Sequence, residues 1–170
     1  AMGSRYPALV SDAFALAASS LLRLGRHDES MKRAIEGVVL ANRTGTRRIE
    51  AELLTGLGLI NIEKNDLSRA MEYLTEAAKI ASDISESVIE FSAMNNLGNA
   101  AAYLGDYSFA RECYERAYTG ACLRGDRYGE SLTLGNLGWI SGMQGDFAAS
   151  RVFHQQALSI SREIGNSYQE

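Results

Sequence analysis

An all-α protein, a right-handed α-solenoid of four antiparallel helix hairpins and about eight helices, is predicted by three features of these 170 residues. Apolar residues recur at a spacing near 3.6 in stretches of about 18 residues, the mark of amphipathic helices. One proline, Pro7, stands against 16 glycines, which favours long uninterrupted helices joined by glycine-containing turns. The chain also repeats itself in fixed phase every 40 residues, and a period of that length is the signature of stacked repeats.

The helices follow in pairs. The first pair, 6–24 and 27–43, takes in "AFALAASSLLRLGRHDESMKRAIEGVVLANRTG" from residue 13, the faintest copy. Helices 47–64 and 67–83 take in "LLTGLGLINIEKNDLSRAMEYLTEAAKIAS" from 53, helices 87–104 and 107–124 "AMNNLGNAAAYLGDYSFARECYERAYTGAC" from 93, and helices 127–144 and 147–164 "TLGNLGWISGMQGDFAASRVFHQQALSISR" from 133. Leu57-Gly58, Leu97-Gly98 and Leu137-Gly138 coincide without an insertion, as do Asp66, Asp106 and Asp146, and then Ala77, Ala117 and Ala157. Gly25, Gly105 and Gly145 share one register, and Gly45, Gly125 and Gly165 another. Glycine ends a helix in the left-handed cap, and aspartate accepts the first unpaired N–H groups of the next. Turns this short force each pair to be antiparallel. A lone pair cannot bury its apolar stripe, so neighbouring pairs stack. The expected organisation is one solenoid over 5–170, with repeats near 11–50, 51–90, 91–130 and 131–170. Ala1-Met2-Gly3-Ser4 resembles the remnant of an expression tag. Glu50, Glu90, Glu130 and Glu170 also recur at the repeat interval, and an apolar run begins after each of the first three. Residue 170 therefore reads as the threshold of a further segment.

Small residues are expected to set the packing. Gly58, Gly98 and Gly138 sit mid-helix, where glycine costs about 1 kcal/mol relative to alanine. That cost, repeated at one position, implies close approach of a facing helix. Ala70, Ala110 and Ser150, with the alanines at 77, 117 and 157, are the expected small partners. Leu54, Met94, Leu134, Leu74, Tyr114, Tyr73 and Phe153 are expected to fill between layers.

Composition excludes several classes. No apolar run approaches the length of a membrane-spanning helix. Net charge is −4, divided as +4 over residues 1–48 and −8 over 49–170. Arg43, Arg47 and Arg48 cluster at one turn, yet the chain lacks the domain-wide basic excess of a nucleic-acid binder. Cys113 and Cys122 on one helix would lie about 13 Å apart on opposite faces, beyond disulfide reach. Unbridged thiols fit a reducing compartment, so the expected location is cytoplasmic. His27 and His154 have no partner at ligand spacing, and neither a metal nor a cofactor is expected. The repeated glutamates would be separated by about 10 Å per step of the array, too far for paired acid–base work. They are expected to complement the positive ends of the first helices. Serine and cysteine nucleophiles lack a base, so an enzyme is not expected.

The pattern Leu97, Gly98, Gly105, Asp106, Tyr107, Ala110, Tyr114 and Ala117 resembles the tetratricopeptide repeat. The resemblance covers residues 6–170 and is most specific in the last three copies. The spacing is 40 residues where 34 is commoner, and Ser82, Cys122 and Arg162 stand where the family has its helix-ending proline. In the first copy Ala18 replaces the glycine, His27 the aromatic and Gly37 the late alanine. This long-repeat form is similar to that of kinesin light chains, spindle-orientation adaptors and the sensor domains of bacterial activators of the maltose-regulon type. The resemblance implies a non-catalytic scaffold that binds a peptide or protein segment, as part of a larger signalling or regulatory protein.

It also implies that the first helix of each pair lines a concave groove. The candidate contacts are Thr55 and Leu59, then Asn95, Asn96, Asn99 and Tyr103, then Asn136, Trp139 and Met143. Asparagine is disfavoured within helices and needs a reason to be there. Its amide can pair with the backbone of an extended peptide, the use the resemblance implies for Asn96 and Asn136, or it can bond between neighbouring first helices. Trp139, the one tryptophan, is flanked by Gly135 and Gly142. It is expected either to anchor a partner or to pack on whatever follows residue 170. Two further readings stay open: self-association, giving a homo-oligomer through terminal repeat faces, and a small-molecule sensor using the same groove.

Overall fold

In the computed structural model of the protein, residues 5–167 are described; the tag-like residues 1–4 and Glu170 lie outside them. The described residues form eight helices and no strand: α1 Arg5–Arg23, α2 His27–Thr44, α3 Arg47–Glu63, α4 Leu67–Asp83, α5 Ser87–Tyr103, α6 Tyr107–Arg124, α7 Arg127–Met143 and α8 Phe147–Ser167. The turn chemistry is as the repeat implies. Asp106 Oδ1 accepts the Phe109 N–H at 3.1 Å, and Asp146 Oδ1 that of Ala149 at 3.0 Å. Asp126 also caps α7, accepting from Gly129 N–H at 2.9 Å. Two left-handed positions are not glycine. Asn65 and Ser85 each adopt φ 59°, in the registers where the other copies carry Gly105 and Gly125.

Gly165 departs from expectation, because α8 runs through it to Ser167. At Gly45 and Gly125 the reversal is fixed by the next helix's cap residue: Thr46 N–H bonds Ala41 O, and Asp126 N–H bonds Ala121 O, both at 3.0 Å. No succeeding helix among the described residues supplies that bond to α8.

The chain divides into two compact units, residues 1–96 and 97–170. In unit 1, α2 packs on α1 and α3, α1 also meets α3, and α4 packs on α3. The core joins Ala34 and Ala41 of α2 to Leu53, Leu57 and Ile60 of α3, and Leu74, Ala77 and Ile80 of α4. Polar ties close its edges: Lys64 Nζ donates to Asp28 at 2.6 Å, and the buried Glu50 carboxylate accepts from Asn42 Nδ2 at 3.0 Å and pairs with Arg47 at 2.8 Å. Buried acid needs such partners. Glu50 therefore ties the start of α3 to the end of α2, while Glu130 pairs with Arg127 on its own helix. In unit 2, α7 packs on α6 and α8 around Ala110, Tyr114, Ala117, Leu137 and Ile140.

The mid-helix glycines admit large side chains rather than small ones, which corrects the sequence expectation. A Cβ on Gly98 would lie 2.6 Å from Tyr114 Cε1, and one on Gly138 2.8 Å from His154 Cε1; at Gly58 the obstacle is Leu74. The second helix inserts its bulky residue where the first helix has only hydrogen, so Leu74 and Tyr114 fill slots within a hairpin. Ala70 and Ala110 are buried, but the nearest atoms to Gly58 and Gly98 belong to Leu74 and Tyr114. Ser150 lies beside Gly142, where a Cβ would stand 3.3 Å from its Oγ.

Two outcomes follow. Ser85 pays a left-handed penalty that glycine avoids, so Ser85→Gly is expected to stabilise by about 0.5–1 kcal/mol, read as a higher urea midpoint at unchanged slope. An unchanged midpoint would show that the position carries no strain. Cys113 is fully buried, and burial pushes its thiol up to about 12, whereas Cys122 is exposed. A disulfide-exchange reagent at neutral pH should titrate one thiol in the folded protein and two after unfolding. Rapid reaction of both would contradict this packing.

Candidate functional site

A helix brings residues three and four apart onto one face. On α5 this pairs Asn99 with Tyr103, and on α7 it aligns Gly135, Asn136, Trp139 and Met143. In unit 2 these faces meet: the rings of Tyr103 and Trp139 lie edge to face with centroids 6.0 Å apart and planes at 63°. Aromatic pairs favour that arrangement because the positive edge of one ring meets the negative face of the other. Tyr103 is 61% exposed, Trp139 38% and Met143 53%. Gly135, one turn before Trp139, has nothing within 4 Å of where a Cβ would stand. The indole thus meets a tyrosine ring, and the position one turn before it on α7 is open.

The asparagine at the base of the cluster has a structural task. Asn99 Oδ1 accepts the Tyr114 hydroxyl at 2.7 Å, which fixes the amide's orientation and satisfies a phenol at the centre of the core. Burial also raises the Tyr114 pKa, so this hydroxyl remains a donor at all ordinary pH. Asn136 is half-buried one turn before Trp139.

Unit 1 carries the other candidates. Thr55 is 8% exposed and donates its hydroxyl to Ala51 O at 2.8 Å. Asn95 is 7% exposed, while Asn96 is half-buried and donates Nδ2 to Ser92 O at 2.8 Å. Leu59 is half-buried and lines a cavity with residues of α1 that no sequence motif marks. The same back-bonding to the carbonyl four residues earlier recurs at Asn61, Thr133 and Ser141. These five polar residues within first helices thus bond to their own backbone, a reason for mid-helix asparagine besides the two that the sequence suggests.

Charge is largely neutralised nearby. Arg47 pairs with Glu50, and Arg48 with Glu52 at 2.8 Å and Glu86 at 3.5 Å, so most of the basic cluster seen in sequence is spent on acidic neighbours. Among the described residues no group of three or more His, Cys, Asp and Glu could hold a metal ion, and no helix is long and apolar enough to cross a membrane.

Comparison with known proteins places this geometry. Two family profiles described as tetratricopeptide repeat match residues 51–84 and 90–163. No curated protein sequence matches the chain. Among solved structures, BtubC (BKLC) from P. vanneervenii superposes with a TM-score of 0.83 at 22% identity, over 94% of this chain and 66% of that one. The chain thus spans just under two thirds of that structure's length. MamA gives a TM-score of 0.74 at 16% identity over 92% of this chain and 81% of that one. A putative kinesin light chain with nearly identical TPR-like repeats, from Podosopora anserina, gives 0.61 at 11% identity over 94% and 98%. Proteins built from these repeats are in general non-catalytic scaffolds for other proteins. Since the two profiles together span most of repeats two to four and the fold agrees along nearly the whole length, the chain belongs to the tetratricopeptide repeat family.

Proposed function

We propose that this chain is a non-catalytic interaction module that binds a peptide or protein segment on the first-helix face of unit 2. Tyr103, Trp139 and Met143 form its apolar anchor, and Asn99 and Asn136 are its flanking amides. The observation that carries this reading is the exposed edge-to-face pair of Tyr103 and Trp139 beside the open position at Gly135. Large aromatic side chains at partly open positions supply most of the energy where proteins meet, because burying them removes much apolar surface from water at little entropic cost. Unit 1 taken by itself carries the further proposed contacts Thr55, Leu59, Asn95 and Asn96, of which Leu59 and Asn96 are the more accessible. Neutralised arginines argue against nucleic acid as the partner. Two unbridged cysteines support a reducing, cytoplasmic setting.

Trp139 is the only tryptophan, so its fluorescence reports on the site directly. A peptide selected from a displayed random library should shift that emission on binding, and Trp139→Ala should weaken affinity by roughly 30-fold, a loss of about 2 kcal/mol. Gly135→Ala should leave the fold intact, since the position is open and alanine favours the helix by about 1 kcal/mol, yet should weaken the same peptide by narrowing its seat. Unchanged emission together with unchanged affinity in Trp139→Ala would remove the site.

Self-association is a second reading, favoured by Phe147, Val152 and Leu158, which α8 leaves exposed. Sedimentation should then show a concentration-dependent dimer that Phe147→Glu with Leu158→Glu dissolves. A wild-type monomer at high concentration would retire this reading.

A further inference from the structure

The register that seats Leu74, Tyr114 and His154 against a glycine holds Ala34 in the first hairpin, with Ala18 in the glycine's place. Of these four residues only Tyr114 carries a hydroxyl. Packing does not ask for one, because Leu74 fills the same slot, equally buried, without a polar atom. The hydroxyl is answered by Asn99, in a register where the other first helices have Ser19, Leu59 and Trp139. Tyrosine and asparagine thus occur together in one hairpin, the one that also supplies Tyr103 to the aromatic pair.

Their hydrogen bond decides what the amide can offer. Tyr114 is wholly buried, and a buried O–H left without an acceptor is costly. Asn99 Oδ1 supplies that acceptor at 2.7 Å. The reversed amide, donating N–H to the phenol oxygen, would take it away. An amide is planar, with its acceptor on one branch and its donors on the other. With the oxygen turned inward to Tyr114, the other branch is an NH2 group, which donates only. Asn99 is half-buried, on the helical face it shares with Tyr103, so a donor is the polarity a partner on that face meets.

We propose that Tyr114 is a positioning residue of the peptide site, holding Asn99 as a hydrogen-bond donor that reads a main-chain carbonyl oxygen of the segment seated on Tyr103 and Trp139. This rests on the peptide-binding function above. An asparagine free to turn would suit a backbone N–H and a carbonyl alike. The buried phenol removes that ambiguity, so the register of the segment against the aromatic pair is set by which carbonyl reaches Asn99. Tyr114 itself, wholly buried, acts only through the amide.

The test uses the full chain and an end-capped peptide without Asp, Glu or His, selected on the wild-type protein from a displayed library. Asn99→Asp keeps an oxygen for Tyr114 but turns the donor into a carboxylate. It should bind roughly tenfold more weakly at neutral pH, and recover as the pH falls and the protonated carboxyl again offers a hydrogen. The wild type should show no such recovery. Tyr114→Phe, which still fills the slot, should weaken binding roughly threefold by letting the amide turn. In the wild type, the Asn99 side-chain NH2 protons should move downfield in NMR spectra as peptide is added, which an amide serving the core alone would not do. Equal affinities of Asn99→Asp and wild type at neutral pH overturn the inference, as does a folded Asn99→Asp that stays weak at low pH. An unmoved NH2 signal overturns it too, even if Asn99→Asp fails to fold. Where Trp139→Ala still weakens the same peptide, those results leave the groove reading standing. If no peptide shifts the Trp139 emission, both fall together.

Discussion

In three of the four hairpins, the second helix places a large side chain where the first helix has a glycine: Leu74 against Gly58, Tyr114 against Gly98, His154 against Gly138. An added methyl group at any of these glycines would overlap the facing side chain. The close approach fixes how the two helices of a hairpin lie on each other. It lets Leu74 and Tyr114 be wholly buried, each gain being about 1.5–3 kcal/mol of hydrophobic stabilisation. The helical penalty of glycine, about 1 kcal/mol, is smaller than that gain. In the last hairpin the same slot is taken by His154, an exposed residue on an outer helix.

This constraint determines which surfaces remain exposed. With one side of each first helix occupied by its hairpin partner, the side bearing Trp139 stays accessible, and the cross-helix contact of Tyr103 with Trp139 builds an aromatic surface there. Asn99 links the two roles. Its carbonyl oxygen holds the hydroxyl of Tyr114, the residue seated on Gly98, so the floor of the candidate site and the hairpin slot share one hydrogen bond. Where the first hairpin abandons the glycine rule, a void replaces the inserted side chain.

Much of this was legible in the sequence because it is periodic. The 40-residue interval, the Leu-Gly pairs and the capping aspartates place all eight helices to within a residue or two, apart from the longer α8. Features set by contacts between positions were less accessible. Mid-helix glycine announces that something comes close, but not whether it is an alanine backbone or a tyrosine ring. Asn65 and Ser85 adopt left-handed backbone without the glycine that signals it. Asn96 and Thr55 bond backward to their own helix, a use that composition cannot separate from recognition. Of the proposed contacts, Tyr103 and Trp139 are visibly brought together; their helical register could be read in advance, their ring contact could not. The first copy's departure at Ala18 was visible, yet the cavity depends on Ala34 and Gly56 as well, three small residues whose joint effect only three dimensions reveal.

The most direct measurement is a double-mutant cycle at Gly98 and Tyr114, followed by urea unfolding. With Tyr114 present, Gly98→Ala should destabilise by about 1–3 kcal/mol, the usual cost of overpacking. In the Tyr114→Ala background, where the pair becomes that of Ala18 and Ala34, the same substitution should be neutral or stabilising, giving a coupling of at least about 1 kcal/mol. Equal costs in both backgrounds would contradict the account, because they would show that the glycine is not there to admit the tyrosine.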